Sequence, residues 1–183
     1  MTVNWVSYEP YRPLFEGDPR LMPRREARCE YDRLMGCKEE REDMLISLMC
    51  ANGVGLTWDD DGVSAFDTWF TTNVELSQED SSRLAWPWYG VSTDFGLFMG
   101  DLLIRRYPWI YWAFFTAGKR DWDYQWPVVM GFRVHNSKYS REFQRFVSSW
   151  GLTVTRRRVR ESGHFLKKLQ SAEFCASGEM LLD

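Results

Sequence analysis

Aromatic side chains are concentrated in one quarter of this chain, and their position decides where a core can form. The 47 residues from Trp86 to Phe132 contain 15 of the 30 Phe, Trp and Tyr residues. Aromatic side chains bury large apolar areas, so this stretch must supply either the core or a major interface. The ten Trp residues also argue against a disordered chain, because disordered chains are poor in aromatic residues.

The length of 183 residues predicts a single domain that spans the whole chain, 1–183. A chain of this size buries roughly 70% of its unfolded surface, which is enough for a core without disulfides or metals. Residues 1–22 mix Pro and Gly with Trp and Tyr. Proline disfavours a helix there, so we expect an extended arm whose aromatic rings pack onto the body.

Hydrophobic periodicity predicts several helices and one β-hairpin, which together indicate the α+β class. Val54–Trp58 is interpreted as a short strand that ends at Asp59–Asp61. The next residues could form the second arm of a hairpin that turns at Asp61-Gly62, but the spacing of Val63, Phe66 and Phe70 favours an Asp-capped helix to about Val74. Gly151 is interpreted as a helix end. The helical segments are about 23–35, 38–51, 61–74, 82–106, 140–150 and 159–176. The clearest hairpin lies at about 109–132, and its antiparallel strands are expected to pack against the helices.

The sequence offers few groups for catalysis or metal binding. Histidine is the usual base at neutral pH, and His135 and His164 are the only two. Neither has a Cys, Asp or Glu nearby at metal-ligand spacing, and the four cysteines are scattered without a CxxC pair. We therefore predict no metal, no cofactor and no catalytic residue.

Asp94 and Asp101 are the one carboxylate pair that keeps an enzymatic alternative open. They lie seven residues apart in one predicted helix and share a face, at a separation of about 10.5 Å along the axis. That distance exceeds the spacing of a retaining carboxylate pair and is marginal for an inverting one. Structural ion pairing, for example between Asp101 and Arg105, is the favoured interpretation.

Compartment and membrane association are predicted from what the sequence lacks. The first residues show no basic segment followed by an apolar one, and no apolar run is long enough to span a bilayer. With four unpatterned cysteines, this predicts reduced thiols and a cytoplasmic location without membrane contact.

Positive charge is concentrated near the end of the chain. Residues 1–92 carry a net charge of −8 and residues 93–183 a net charge of +5, and the stretch 133–168 alone carries +8. Such a stretch neutralises phosphates in nucleic-acid-binding proteins, and the candidate contacts are Arg156, Arg157, Arg158 and Arg160. Docking to the acidic half of the chain, or to an acidic protein partner, is the competing interpretation.

The predicted hairpin turn contains aromatic residues with no clear place in the core, unlike the other aromatic residues of the 86–132 stretch. We predict a protein-binding surface there, because Trp, Tyr and Arg dominate interface hot spots. The candidate partner-binding residues are Lys119, Arg120, Trp122, Tyr124 and Trp126. A non-enzymatic protein-interaction module is therefore the leading prediction, with a homo-oligomer as an open alternative.

The order of motifs within the aromatic stretch resembles an uncharacterised family of small bacterial proteins. The matching residues are Trp88-Tyr89, Asp94, Gly96-Leu97-Phe98, Gly100-Asp101, Pro108, Trp112, Phe114-Phe115, Gly118-Lys119, Tyr124-Gln125, Pro127-Val128 and Gly131-Phe132. A helix with Gly-Asp that leads to a strand centred on Trp is also similar to α+β domains of bacterial toxin-immunity proteins. This resemblance implies an immunity or adaptor role and transfers no catalytic residues.

Overall fold

Six α-helices and one antiparallel strand pair form the regular structure in this computed structural model, which describes residues 3–5, 8–157 and 162–178. The helices are α1 (Arg24–Gly36), α2 (Lys38–Ala51), α3 (Asp60–Asn73), α4 (Trp86–Arg106), α5 (Gln144–Arg157) and α6 (His164–Ser177). The strands are β1 (Tyr111–Phe114) and β2 (Pro127–Met130). The predicted single-domain α+β class is confirmed.

Helix α4 lies at the centre and packs against α2, α5 and α6. Buried residues occur around its whole circumference, as expected of a helix that is surrounded by other elements. Gly96 permits a close contact with α5, because a Cβ at this position would lie 2.7 Å from Cγ of Gln144 in α5. This glycine therefore lets α4 and α5 pack closely.

The predicted hairpin is confirmed, with strands of four residues each. Tyr111 pairs with Met130 and Phe114 with Pro127 at the two ends of the ladder. Pro127 is the first residue of β2, which is one of the few strand positions that tolerate a missing N–H group. Val129 also forms a bridge with Arg141 on the other side of β2.

The core is built from stacked aromatic rings. Phe66 of α3 stacks on Phe95 of α4 with ring centroids 3.5 Å apart, and Phe165 of α6 packs against both. Within the 86–132 stretch, the α4 residues Trp88, Phe95 and Phe98 are buried in this core. Trp109 and Tyr111, which were also expected in the core, are 39% and 53% exposed, and Trp86 is 46% exposed.

Two local predictions are wrong. The segment Val54–Trp58 forms no strand, and its Trp58 ring stacks on Phe98 of α4. Gly151 does not end a helix but lies within α5. A Cβ there would lie 3.0 Å from Cζ of Phe70, so this glycine serves close helix packing and not termination.

The segment 8–18 has neither helix nor strand and leads into a short 3₁₀ helix, Pro19–Leu21. Its buried Tyr8 and Tyr11 anchor it to the body. Residues 1, 2, 6 and 7 of the predicted arm lie outside the described residues. Among the described residues, no helix combines the length and apolarity that crossing a membrane requires.

Candidate binding site

A cavity of about 250 Å³ lies between the arm, α1, the first turns of α4, the start of β2 and α5. We call it the arm pocket. Its lining is mainly apolar and aromatic, and it includes Tyr11 of the arm, Tyr31 of α1, Trp86 of α4 and Trp126 beside β2. Trp86 is also 46% exposed, so the pocket reaches the solvent.

Two contacts hold the arm over this pocket. Gly90 of α4 admits the arm, because a Cβ there would lie 2.7 Å from Cβ of Pro10. At the other end, Nε2 of Gln125 donates hydrogen bonds to the carbonyl oxygens of Pro19 and Met22, at 2.5 and 3.0 Å. Gln125 has a positive φ of 64°, a backbone conformation that is costly for a side chain other than glycine.

The charged groups around the pocket already have partners. The Glu30 carboxylate accepts hydrogen bonds from the Tyr11 hydroxyl, from the Leu14 backbone N–H at 2.9 Å and from Nη2 of Arg33 at 2.8 Å. Burial of the Tyr11 hydroxyl, reinforced by its hydrogen bond to Glu30, raises the pKa of Tyr11. Glu30 is therefore committed to holding the arm.

One polar group at the pocket lacks a partner. Gln144, the first residue of α5, lines the pocket and is buried. Its Nε2 is shielded from water and has no hydrogen-bond partner among the described residues. Because buried polar groups are nearly always hydrogen-bonded, this nitrogen is an unusual feature of the site.

The hairpin turn lies beside the pocket and carries Trp122, the most exposed tryptophan among the described residues. Trp122 is 72% exposed, and the Arg20 guanidinium lies over its ring at 4.4 Å. Nη1 of Arg145 donates to the Trp122 carbonyl oxygen at 2.6 Å, and Nη2 donates to Oδ1 of Asp123 at 2.6 Å. These bonds fix the turn onto α5.

The five predicted partner-binding residues divide into two groups. Lys119, Arg120 and Trp122 are exposed, and with Arg20 they form what we call the turn patch. Trp126 is half-buried and belongs to the arm pocket, where Arg145 lies over its ring at 4.5 Å. Tyr124 is half-buried in the turn. Within the described ranges, neither Lys119 nor Arg120 forms an ion pair.

Many charges of the basic stretch 133–168 are used within the fold. Arg133 lies 3.6 Å over the Trp109 ring, and Lys168 lies 4.5 Å over Phe146. Nη2 of Arg156 donates to the Ser82 carbonyl oxygen at 2.5 Å. The predicted contacts Arg156 and Arg157 are exposed at the end of α5, while Arg158 and Arg160 lie outside the described residues.

Asp94 is fully buried, and hydrogen bonds from neighbouring side chains hold it in place. Its two carboxylate oxygens accept from Nε and Nη2 of Arg41 at 2.9 and 2.6 Å, and one of them also accepts from the Tyr8 hydroxyl at 2.5 Å. Burial raises the pKa of Asp94, against the opposing effect of the Arg41 hydrogen bonds and charge. Asp94 does not line the arm pocket.

Asp101 has different partners from the predicted one. It forms an ion pair with Lys38 and accepts from Nε1 of Trp112 at 2.6 Å, whereas Arg105 lies 3.8 Å over the Trp58 ring. Buried Glu42 stands close enough for its pKa to respond to Asp101: burial, then the Asp101 charge, raises it to about 8. Glu42 could not be assigned to this cluster from the sequence, because only the tertiary fold brings α2 against α4.

Neither histidine lines the arm pocket. His135 is exposed in the loop after β2. His164 is stacked on Trp150 with centroids 3.7 Å apart, and burial lowers its pKa. Across the described ranges, no three His, Cys, Asp or Glu side chains converge in a way that could hold a metal ion.

No known protein family, curated protein or solved structure matches this chain. The resemblance to a bacterial family and to toxin-immunity domains therefore stays a prediction. What the arrangement offers chemically is binding. Within the part of the chain that the structure describes, the aromatic pocket has a buried hydrogen-bond donor without a partner, and the exposed Trp122 beside it is accompanied by two cations, Lys119 and Arg120, that form no ion pair.

Proposed function

We propose that this protein is a non-enzymatic interaction module whose turn patch binds an acidic surface of a partner protein. The observation that carries the proposal is Trp122, which is 72% exposed although its backbone is fixed by Arg145 and its ring is covered on one face by Arg20. An exposed aromatic ring that is held in place loses little conformational entropy when it is buried by a partner.

The charges of the turn patch favour a protein over a nucleic acid. Lys119 and Arg120 offer two cations that are not neutralised within the described chain, and they fit an acidic side chain of a partner. Asp121 and Asp123 stand in the same turn, and Asp18 pairs with Arg20 beneath the Trp122 ring. These carboxylates repel a continuous phosphate backbone but suit the mixed charges of a protein interface.

The biological setting of the proposal is an immunity-type or adaptor protein of the bacterial cytoplasm. The resemblance of the 88–132 motifs supports this setting, and the two carboxylates that kept an enzymatic alternative open are engaged in ion pairs. An immunity protein acts by occupying its partner, which requires a rigid surface and no catalytic group.

The proposal is tested in two steps with one matched control. Tagged wild-type protein, Trp122→Ala and Trp109→Ala are used to capture proteins from the native host. Trp109 is the control because it is also exposed and stacked on an arginine, Arg133, but lies at the other end of the hairpin. A partner that depends on Trp122 is then purified and its affinity measured by calorimetry.

We expect Trp122→Ala to weaken the purified complex by about 2–4 kcal/mol, as for a hot-spot aromatic residue, and Trp109→Ala to leave it unchanged. The double variant Lys119→Glu/Arg120→Glu should slow association and reduce its salt dependence. Capture that is equal for all variants would overturn the proposal. A Trp122-dependent dimer of this chain, or Trp122-independent binding to nucleic acid that is lost in Arg156→Glu/Arg157→Glu, would replace it.

A further inference from the structure

We propose that the arm pocket is a second binding site, for a small uncharged molecule with a two-ring aromatic system and a carbonyl oxygen that accepts a hydrogen bond from Nε2 of Gln144. This site is separate from the turn patch, and neither proposal depends on the other.

The size and lining of the pocket determine the apolar part of the ligand. Its volume of about 250 Å³ exceeds the ~150 Å³ of apolar cavities that take up benzene, so a two-ring system fits. Rings from Tyr11, Tyr31, Trp86 and Trp126 surround the space. Aromatic rings pack favourably against one another in offset or edge-to-face arrangements, which favours a flat aromatic ligand over an aliphatic chain.

The charge of the ligand follows from the groups already in use. Glu30 is bonded to Tyr11, Leu14 and Arg33, and Arg145 is bonded to Asp123 and the Trp122 carbonyl. Neither side chain is free to form an ion pair with a charged ligand. Such a ligand would lose its hydration on entering the pocket without gaining a partner of opposite charge. The ligand is therefore uncharged.

Gln144 determines the polar part of the ligand. Its amide nitrogen is buried without a partner, and such a donor costs free energy until an acceptor reaches it. The backbone of Gln144 lies close to α4, since a Cβ at Gly96 would be 2.8 Å from Cα of Gln144. In the proposed complex, a turn about the soft terminal torsion of the side chain exposes this nitrogen to the pocket, where the ligand oxygen accepts its hydrogen bond.

The test compares two probes that differ in one oxygen, 2-acetylnaphthalene and 2-ethylnaphthalene. Binding is followed by the indole N–H signals of the ten tryptophans in nitrogen–proton correlation spectra. We expect saturable shifts of the Trp86 and Trp126 signals, with Trp122 and Trp109 unchanged. The acetyl compound should bind about threefold to tenfold more tightly than the ethyl compound, the contribution of one hydrogen bond.

Gln144→Met keeps the length of the side chain and removes the donor, so both probes should bind it equally, at the affinity of the ethyl compound. Gln170→Met, at an exposed position of α6, is the matched control and should keep the preference. Ala27→Met fills the pocket from α1 and should weaken both probes. Equal affinity of the two probes for the wild-type protein, or shifts confined to other tryptophans, would overturn the proposal even if Gln144→Met did not fold.

Discussion

Gly100 of α4 lies directly against the indole ring of Trp112 in β1, and a Cβ at residue 100 would be 2.1 Å from Cζ2 and 2.6 Å from Cη2 of that ring. The ring is held there because its Nε1 donates to Oδ1 of Asp101, the next residue of α4, at 2.6 Å. One glycine and one carboxylate thus seat the hairpin on the central helix.

Gly100→Ala should therefore destabilise the protein by about 2–3 kcal/mol, because the added methyl group must displace a ring that its own hydrogen bond keeps in place. Urea unfolding measures the change. Gly36→Ala is the control, since Gly36 ends α1 and a Cβ there would meet no atom within 4 Å. The control should change stability by less than about 1 kcal/mol, in the stabilising direction, because alanine favours helix. Equal effects of the two substitutions would contradict this account of Gly100.

The elements that the sequence predicted are those whose signals are local. Asp59 accepts from the Gly62 N–H at 2.9 Å and caps α3 as predicted, and the hairpin follows from its own turn and strand residues. Gly151 shows where local reasoning fails. A glycine in a helical pattern has the same sequence signature whether it ends the helix or admits a neighbour. The side chains that pack against Gly151 from other parts of the chain, such as Phe70 of α3, decide between the two.

The two candidate sites also differ in whether local sequence signals could predict them. Exposure of Lys119, Arg120 and Trp122 could be predicted, because a turn projects its residues into solvent. The arm pocket could not, since Tyr11 and Gln144 come from parts of the chain that only the tertiary fold brings together. Trp126 was found from the sequence as a surplus aromatic residue, but its place in the pocket needed the structure.

Asp94→Asn should reduce stability by about 3–5 kcal/mol, because it leaves the buried Arg41 guanidinium without its counter-charge. Thermal or urea unfolding measures the loss. Asp32→Asn removes an ion pair with Arg28 that is exposed to solvent and should cost less than about 1 kcal/mol. A catalytic Asp94 would behave differently: the substitution would abolish an activity and leave stability nearly intact, which would revive the enzymatic alternative.

Glu42→Gln should stabilise the protein at neutral and alkaline pH. Burial, with the Asp101 charge, raises the pKa of Glu42 from 4.5 to about 8, against the opposing charges of Lys38 and Arg105. Between these two pKa values the unfolded chain has released a proton that the folded chain retains. The wild-type protein must therefore lose stability as pH rises from about 4.5 to about 8.

Glutamine carries no ionisable proton, so the variant should lack this part of the pH dependence. We expect the free energy of unfolding of Glu42→Gln to exceed that of the wild type by about 1–3 kcal/mol near pH 8. Below about pH 4.5 the two proteins should differ little, because Glu42 is then protonated in both the folded and the unfolded wild-type chain. Urea unfolding of both proteins across the window measures the two slopes. Asp43→Asn, an exposed carboxylate on the same helix, should leave the slope unchanged. Parallel slopes for wild type and Glu42→Gln would show that the carboxyl group ionises normally in the folded protein, and that the charges of Lys38 and Arg105 outweigh its burial.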